Sequence, residues 1–368
     1  MTGFPVLKID DLTAPRAILQ GGMSVGISLA CLSAAVANEG GIGIIGTAGI
    51  GMQEPDFARN YAKANERALR KEIQKARNAT KGIIGVNILV ALSDYGDLVR
   101  IAVEEGVDIV LLGAGLPLKS PAEFDFKNFR DIKTKIFPIV SSDRAAQIIM
   151  QYWAKSYDYI PDGIVVEGPL AGGHLGFKKE HLKDPAYSLE KILPGVISVA
   201  ETFRKEYKKD IPVIAAGGIF TGADIYNVMK MGVQGVQMAT RFIATAECDA
   251  SDTFKQAIID CREEDLVIID SPVGMPGRAV RNKFLIDVLS GINKPFNCPW
   301  KCLRTCDFRK APYCIALALT KAKEGKFEDG FAFAGANAYR VDKMTTVKEL
   351  IDSLVKEYNE AEKKDKSE

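Results

Sequence analysis

A repeated punctuation constrains this chain more than any other feature. Over its first two thirds, short runs of Val, Ile, Leu and Ala stop at a glycine or a lone polar residue, and an amphipathic stretch follows each run. We read buried strands at 17–19, 42–45, 83–87, 109–112, 136–140, 163–167, 213–216 and 235–238. Short apolar runs without polar alternation are what parallel strands covered on both faces look like. Helices are expected at 29–39, 55–80, 98–105, 144–155, 193–207 and 223–231. Strands alternating with helices form βαβ units. Eight of them can close into an α/β barrel, the (β/α)8 or TIM barrel, of about 250 residues. An open doubly wound sheet is the competing arrangement.

The alternation stops after residue 241, well short of the end of this 368-residue chain. Residues 1–247 read as the barrel, with a C-terminal return at 330–368 that includes an amphipathic helix at 347–362. Residues 248–329 hold Pro272, Pro276, Pro295, Pro299 and Pro312 and read as an added, mainly helical lid or cap. Lys plus Arg is 48 and Asp plus Glu is 47, so no charge excess points to nucleic acid or an anionic membrane. No apolar run reaches the ~18 residues of a membrane span. The N-terminus lacks the basic-then-apolar pattern of an export signal. Seven cysteines without such a signal point to a reducing cytoplasm.

The chemistry-bearing residues cluster at strand ends. Gly217 and Gly218 follow the seventh strand, and Gln237-Met238-Ala239-Thr240-Arg241-Phe242 closes the eighth. Loops after these two strands commonly hold a phosphate on free backbone N–H groups. Simple turn geometry is the plainer alternative. Gln20-Gly21-Gly22-Met23 ends the first strand, where close-lying backbone and a methionine could meet a flat ring. A tight turn explains the same residues. Asn87 ends the third strand and offers a donor and an acceptor to a heterocycle. His174 sits among Gly172, Gly173 and Gly176 just after the sixth strand, a setting suited to proton exchange or substrate orientation. The second histidine, His181, lies in a charged stretch and reads as surface. Cys298, Cys302, Cys306 and Cys314 are spaced C-x3-C-x3-C-x7-C. Four thiolates could ligate an iron–sulfur cluster or zinc, yet the spacing suits a packed helix as well.

Taken in order, Gln20-Gly-Gly-Met23, Asn87, Glu167-Gly-Pro-Leu-Ala-Gly-Gly-His174, Ala216-Gly-Gly-Ile219 and Gln237-Met-Ala-Thr-Arg-Phe242 resemble the nitronate monooxygenase (2-nitropropane dioxygenase-like) family, over roughly residues 5 to 247. Flavin enoyl-acyl-carrier-protein reductases and NADH:quinone reductases share this resemblance. It implies a TIM barrel with FMN and oxidation of alkyl nitronates by O2. It further implies that Gln20, Gly21, Gly22, Met23 and Asn87 contact the isoalloxazine, and that Glu167 and Gly172 sit beside it. Gly217, Gly218, Gln237, Met238, Ala239 and Thr240 would hold the phosphate, and His174 would be the acid/base or orienting group. At Pro169-Leu170 the family often carries an acid, which is missing here. The alternative is an NAD(P)H- or ferredoxin-linked FMN reductase of enoyl thioesters or quinones. A non-catalytic flavin or phosphate-metabolite binder and a phosphosugar-type barrel are the rivals from other classes. A homodimer is a further expectation from the family.

Overall fold

An antiparallel hairpin opens the fold: β1 (Leu7–Ile9) pairs with β2 (Leu12–Ala14). Its Leu7 and Ile9 share an apolar cluster with Ile42, Ile109 and Phe137, so the hairpin plugs one end of the barrel those three residues line. The computed structural model describes residues 3–298 and 300–367. Barrel strands β3 (Ile18–Gln20), β4 (Ile42–Gly46), β5 (Ile83–Leu89), β6 (Ile109–Gly113), β7 (Lys135–Val140) and β8 (Ile164–Glu167) come next. A two-residue strand outside the barrel, β9 (Gly173–His174), precedes β10 (Val213–Ala216) and β11 (Gly235–Met238). The eight barrel strands pair in parallel and close, with β11 hydrogen-bonded to β3. The TIM barrel is therefore the observed fold.

Helices clothe the barrel: α1 (Ala30–Asn38), α2 (Tyr61–Ala79), α3 (Tyr95–Glu104), α4 (Asp143–Tyr157), α5 (Leu189–Tyr207), α6 (Gly222–Lys230) and the short α7 (Thr240–Ile243). Their starts have identifiable causes. Ser142 caps α4, and Thr221 and Asp224 form a reciprocal capping box on α6. No local side chain caps α1; Asp249, far along the chain, accepts from Leu29 N at 2.8 Å and Leu32 N at 3.3 Å. The main core lies between the outer faces of the strands and these helices, with Trp153 and Phe242 fully buried in it. Among the described residues, no helix is long and apolar enough to cross a membrane.

The segment after the barrel contains α8 (Asp252–Ile259), β12 (Leu266–Asp270), β13 (Pro276–Val280), α9 (Lys283–Leu289) and α10 (Ile315–Lys323). Reading this stretch as helical and irregular misses the β12–β13 hairpin. Its second strand extends to the barrel side: Gly277 pairs with His174 and Arg278 with Gly173. The chain then returns across the barrel mouth and ends in α11 (Val347–Ser367), packed on α6 and α1. Glu357 accepts from Gly222 N at 2.7 Å, and Tyr358 meets the ring of Phe4 at 5.0 Å.

Candidate active site

Strand register places polar groups at the mouth. In a parallel strand side chains alternate between the two faces, and neighbours in register share a layer. Val165 and Ile214 point into the barrel, so Glu167 and Ala216, two residues on, form the next inward layer. Ala216 pairs with Gln237, and Gly46 with Asn87, so Gln237 and Asn87 lie near the C-terminal ends of their strands, at the same mouth. These three polar side chains are the floor of a cavity of about 530 Å³, within the ~300–1,000 Å³ of ligand sites. Gly22 runs so close to Asn87 that an added Cβ would lie 2.5 Å from the Asn87 Cβ.

The floor is not internally satisfied. Gln237 Oε1 is buried without a hydrogen-bond partner among the described residues. Burial raises the Glu167 carboxyl from its ordinary 4.5 to about 7. The unfolded chain releases this proton earlier, so between these values the folded state binds more protons and stability falls as pH rises. Glu167→Gln removes that dependence. We expect the variant without cofactor to gain up to about 3 kcal/mol over the parent at pH 8, and little at pH 4. Denaturant unfolding at the two pH values checks this; an equal difference at both would contradict it.

One side of the mouth carries backbone donors with no protein partner among the described residues. Gly217 and Gly218 both adopt φ of +90°, a region open to glycine. Their N–H groups find no protein acceptor among the described residues. Asn337, on the returning segment, donates to Gly218 O at 2.6 Å, and Thr240 Oγ1 accepts from Gly335 N at 3.0 Å.

Above the floor stands His174. Its Nε2 lies 2.7 Å from Ser271 Oγ, and its ring meets Phe333 edge-on at 5.1 Å. Burial lowers its pKa to about 4, so the imidazole is neutral near pH 7. The glycine loop that carries it is held by Arg278. This buried guanidinium donates to Pro169 O at 2.8 Å and Ala171 O at 2.5 Å. Burial lowers the Arg278 pKa to about 10. Arg278, Ser271 and Phe333 are absent from the sequence-based site. A signal existed for the first two: the apolar run 266–269, then Ser271-Pro-Val-Gly274-Met-Pro-Gly277-Arg278, is strand followed by turn chemistry.

The structure gathers Gly21, Gly22, Met23, Asn87, Glu167, Gly172, Gly217, Gly218, Gln237, Met238, Ala239, Thr240 and His174 around this one cavity. It does not bring Gln20 there. The Gln20 side chain is fully buried, accepts from Ile44 N at 3.1 Å and donates to Gly21 O at 2.5 Å. The expectation that it touches a ring is corrected: its amide is spent on backbone groups inside the barrel wall. The geometry lends no support to the metal expectation for Cys298, Cys302, Cys306 and Cys314. Among the described residues, no group of three or more His, Cys, Asp or Glu is placed to hold a metal ion. These cysteines are not on a shared helix; only Cys314 adjoins one, at the start of α10. Burial, with the other three sulfurs nearby, pushes the Cys302 thiol to about 12, so it is an uncharged, apolar group lining the cavity.

An anion cradle facing unspent amide and carboxyl groups, beneath a glycine-held histidine, suits a flat cofactor with a phosphate tail. A closed parallel barrel with a ligand-sized cavity at the C-terminal ends of its strands is an enzyme scaffold. The chain matches the nitronate monooxygenase family over residues 7–357 and belongs to it. A probable nitronate monooxygenase of Staphylococcus aureus is 30% identical over 296 residues, covering 73% of this chain and 76% of that protein. A Mycobacterium tuberculosis protein named as a hydroxy-methyl-oxo-octahydro-indene-carboxyl-CoA dehydrogenase is 27% identical over 288 residues, covering 78% of this chain and 68% of that protein. Among solved structures, FabK from Thermotoga maritima superposes with a TM-score of 0.72 at 29% identity, covering 95% of both chains. Nitroalkane oxidase from Streptomyces ansochromogenes shares the fold, with a TM-score of 0.71 at 22% identity over 95% of this chain and 97% of that one.

Proposed function

We propose that this chain is an FMN-dependent oxidoreductase that oxidises alkyl nitronates with O2. The observation carrying the reading is the buried, partnerless Gln237 Oε1 in a polar layer beside the unspent N–H groups of Gly217 and Gly218. A phosphorylated ring system satisfies both at once. In this reading Gly217, Gly218, Met238, Ala239 and Thr240 hold the phosphate. Gly21, Gly22 and Met23 lie along the ring, Asn87 and Gln237 meet its polar edge, and Glu167 and Gly172 flank it. When bound, FMN accepts electrons from the substrate and lets O2 be reduced.

The chain's own residues orient and shield. A nitronate is already an anion, so it needs no base to enter the reaction. It needs hydrogen-bond donors and a site with little water. His174, neutral and held by Ser271, offers the nitrogen that Ser271 does not engage. Phe333 and the cap residues keep water from the same space. The test is O2 uptake by the FMN-loaded protein with a simple alkyl nitronate. Saturable uptake supports the proposal; none removes it. The apolar roof of the cavity favours a second reading, an NAD(P)H- or ferredoxin-linked reductase of enoyl thioesters or quinones. Its sign is anaerobic bleaching of the flavin by the donor.

A further inference from the structure

Charge is unevenly placed along this chain. Residues 281–310, in the cap, carry seven Lys and Arg against two Asp, in a chain whose overall charge is +1. Both acids are already engaged: Asp287 pairs with Lys283 at 3.0 Å and Lys294 at 3.4 Å, and Asp307 with Lys310 at 3.6 Å. Lys301, Arg304 and Arg309 are exposed and have no carboxylate partner among the described residues. The same lobe carries an apolar stripe. Ile286 and Leu289, one turn apart on α9, and Ile292 just beyond it are each more than half exposed. Ile292 N donates to Asp287 O at 3.0 Å, which folds this residue back against the helix end. Lys294 N donates to Pro312 O at 2.7 Å and closes the loop that holds the cations, and Phe284 of α9 meets Tyr313 edge-on at 5.3 Å. Single exposed apolar residues are ordinary, but three on one helix end with cations around them have the make-up of an interface, apolar at its centre and charged at its rim.

The loop that holds the cations is also the roof of the cavity. Trp300 and Cys302 line the cavity, while Lys301 between them is exposed. Lys301 has φ of +48°, a left-handed conformation that costs a residue with a side chain about 1–2 kcal/mol. That turn sets a cation outward between two inward neighbours, so the roof here is one layer of side chains thick. A hydride donor must enter the cavity to react, but an electron crosses a packed layer of side chains without contact. We propose that the outer face of the cap docks an acidic one-electron carrier protein, which delivers electrons through the roof to the flavin. The proposal rests on the flavin reading of the cavity, in its reductase form. Two carriers in succession each give up one electron and are oxidised, and with two protons from water oxidised FMN becomes FMNH2. Redox encounters of this kind bury little area and depend on charge steering, which suits a small apolar centre with an unpaired cationic rim.

The experiment uses the FMN-loaded full chain with an acidic plant-type [2Fe–2S] ferredoxin and an acidic flavodoxin as probes. Calorimetry follows binding of the oxidised carriers, and anaerobic stopped-flow mixing follows flavin bleaching by the reduced ones. At least one carrier is expected to bind and to bleach the flavin, with bleaching at subsaturating carrier slowed about tenfold or more between about 20 and about 300 mM salt. Lys301→Glu combined with Arg309→Glu is expected to slow bleaching about tenfold or more at low salt, while dithionite still bleaches variant and parent fully. Leu289→Ser, at the apolar centre, is expected to weaken binding and to leave the salt dependence in place. Binding by neither carrier, or bleaching indifferent to both salt and the charge reversal, overturns the docking surface. Binding without bleaching, where dithionite bleaches normally, overturns electron delivery. A chain that takes up no flavin but still binds a carrier, with binding lost in the double variant, keeps the docking surface and removes the flavin reading.

Discussion

His174→Ala is expected to lower kcat/KM for nitronate oxidation by about 100-fold or more while the protein keeps its flavin. The glycine loop after β8, the pairing of β9 with β13, and Ser271 together hold this imidazole over the polar floor. Alanine keeps the backbone pairing, so the loss falls on the substrate contact. His174→Gln restores a donor and is expected to recover part of the activity. The low pKa of about 4 adds a second signature. His174 gives the parent no inflection in its activity profile near the ordinary histidine value of 6.5. Steady-state O2 uptake across pH measures both effects. Unchanged turnover in the alanine variant removes the role.

Gly217→Ala is expected to weaken FMN binding by about 100-fold. At φ of +90° an alanine is strained by about 1–2 kcal/mol. Its Cβ would also lie 2.8 Å from Gly168 O and 3.1 Å from Ala171 N. Relief of that clash pushes the β10 loop away from the loop that carries His174, and the anion cradle opens. Flavin titration of the folded variant, checked by circular dichroism, measures the loss. Retention of parent-like affinity would show that the cradle does not hold the cofactor.

Strand ends are the most readable part of this chain, because a doubly covered strand needs an unbroken apolar run and the mouth needs a break in it. The runs 213–216 and 235–238 match β10 and β11. At the first strand the reading stops at Leu19, whereas β3 runs to Gln20. The polar side chain looks like loop, but inside the barrel wall its amide satisfies Ile44 N and Gly21 O. The grouping of Asn87, Glu167 and Gln237 follows from the period-2 rule once the barrel is assumed. The hairpin that carries Arg278 leaves a local signal, but the contacts of Arg278 do not: a buried cation held by carbonyls more than a hundred residues away leaves no periodic trace. The four cysteines are hard to read for a related reason. Spacing alone cannot distinguish thiolate ligands from protonated thiols, and the fold adds only that burial, with the other three sulfurs nearby, raises the Cys302 thiol above its ordinary value.

Cofactor content tests the central claim most directly. The protein is purified, reconstituted with FMN, freed of excess, and its visible spectrum and acid-released chromophore are quantified. A cradle and polar floor of this kind predict a full equivalent of FMN per chain. Protein that stays colourless after reconstitution, or that releases a different chromophore, would contradict it.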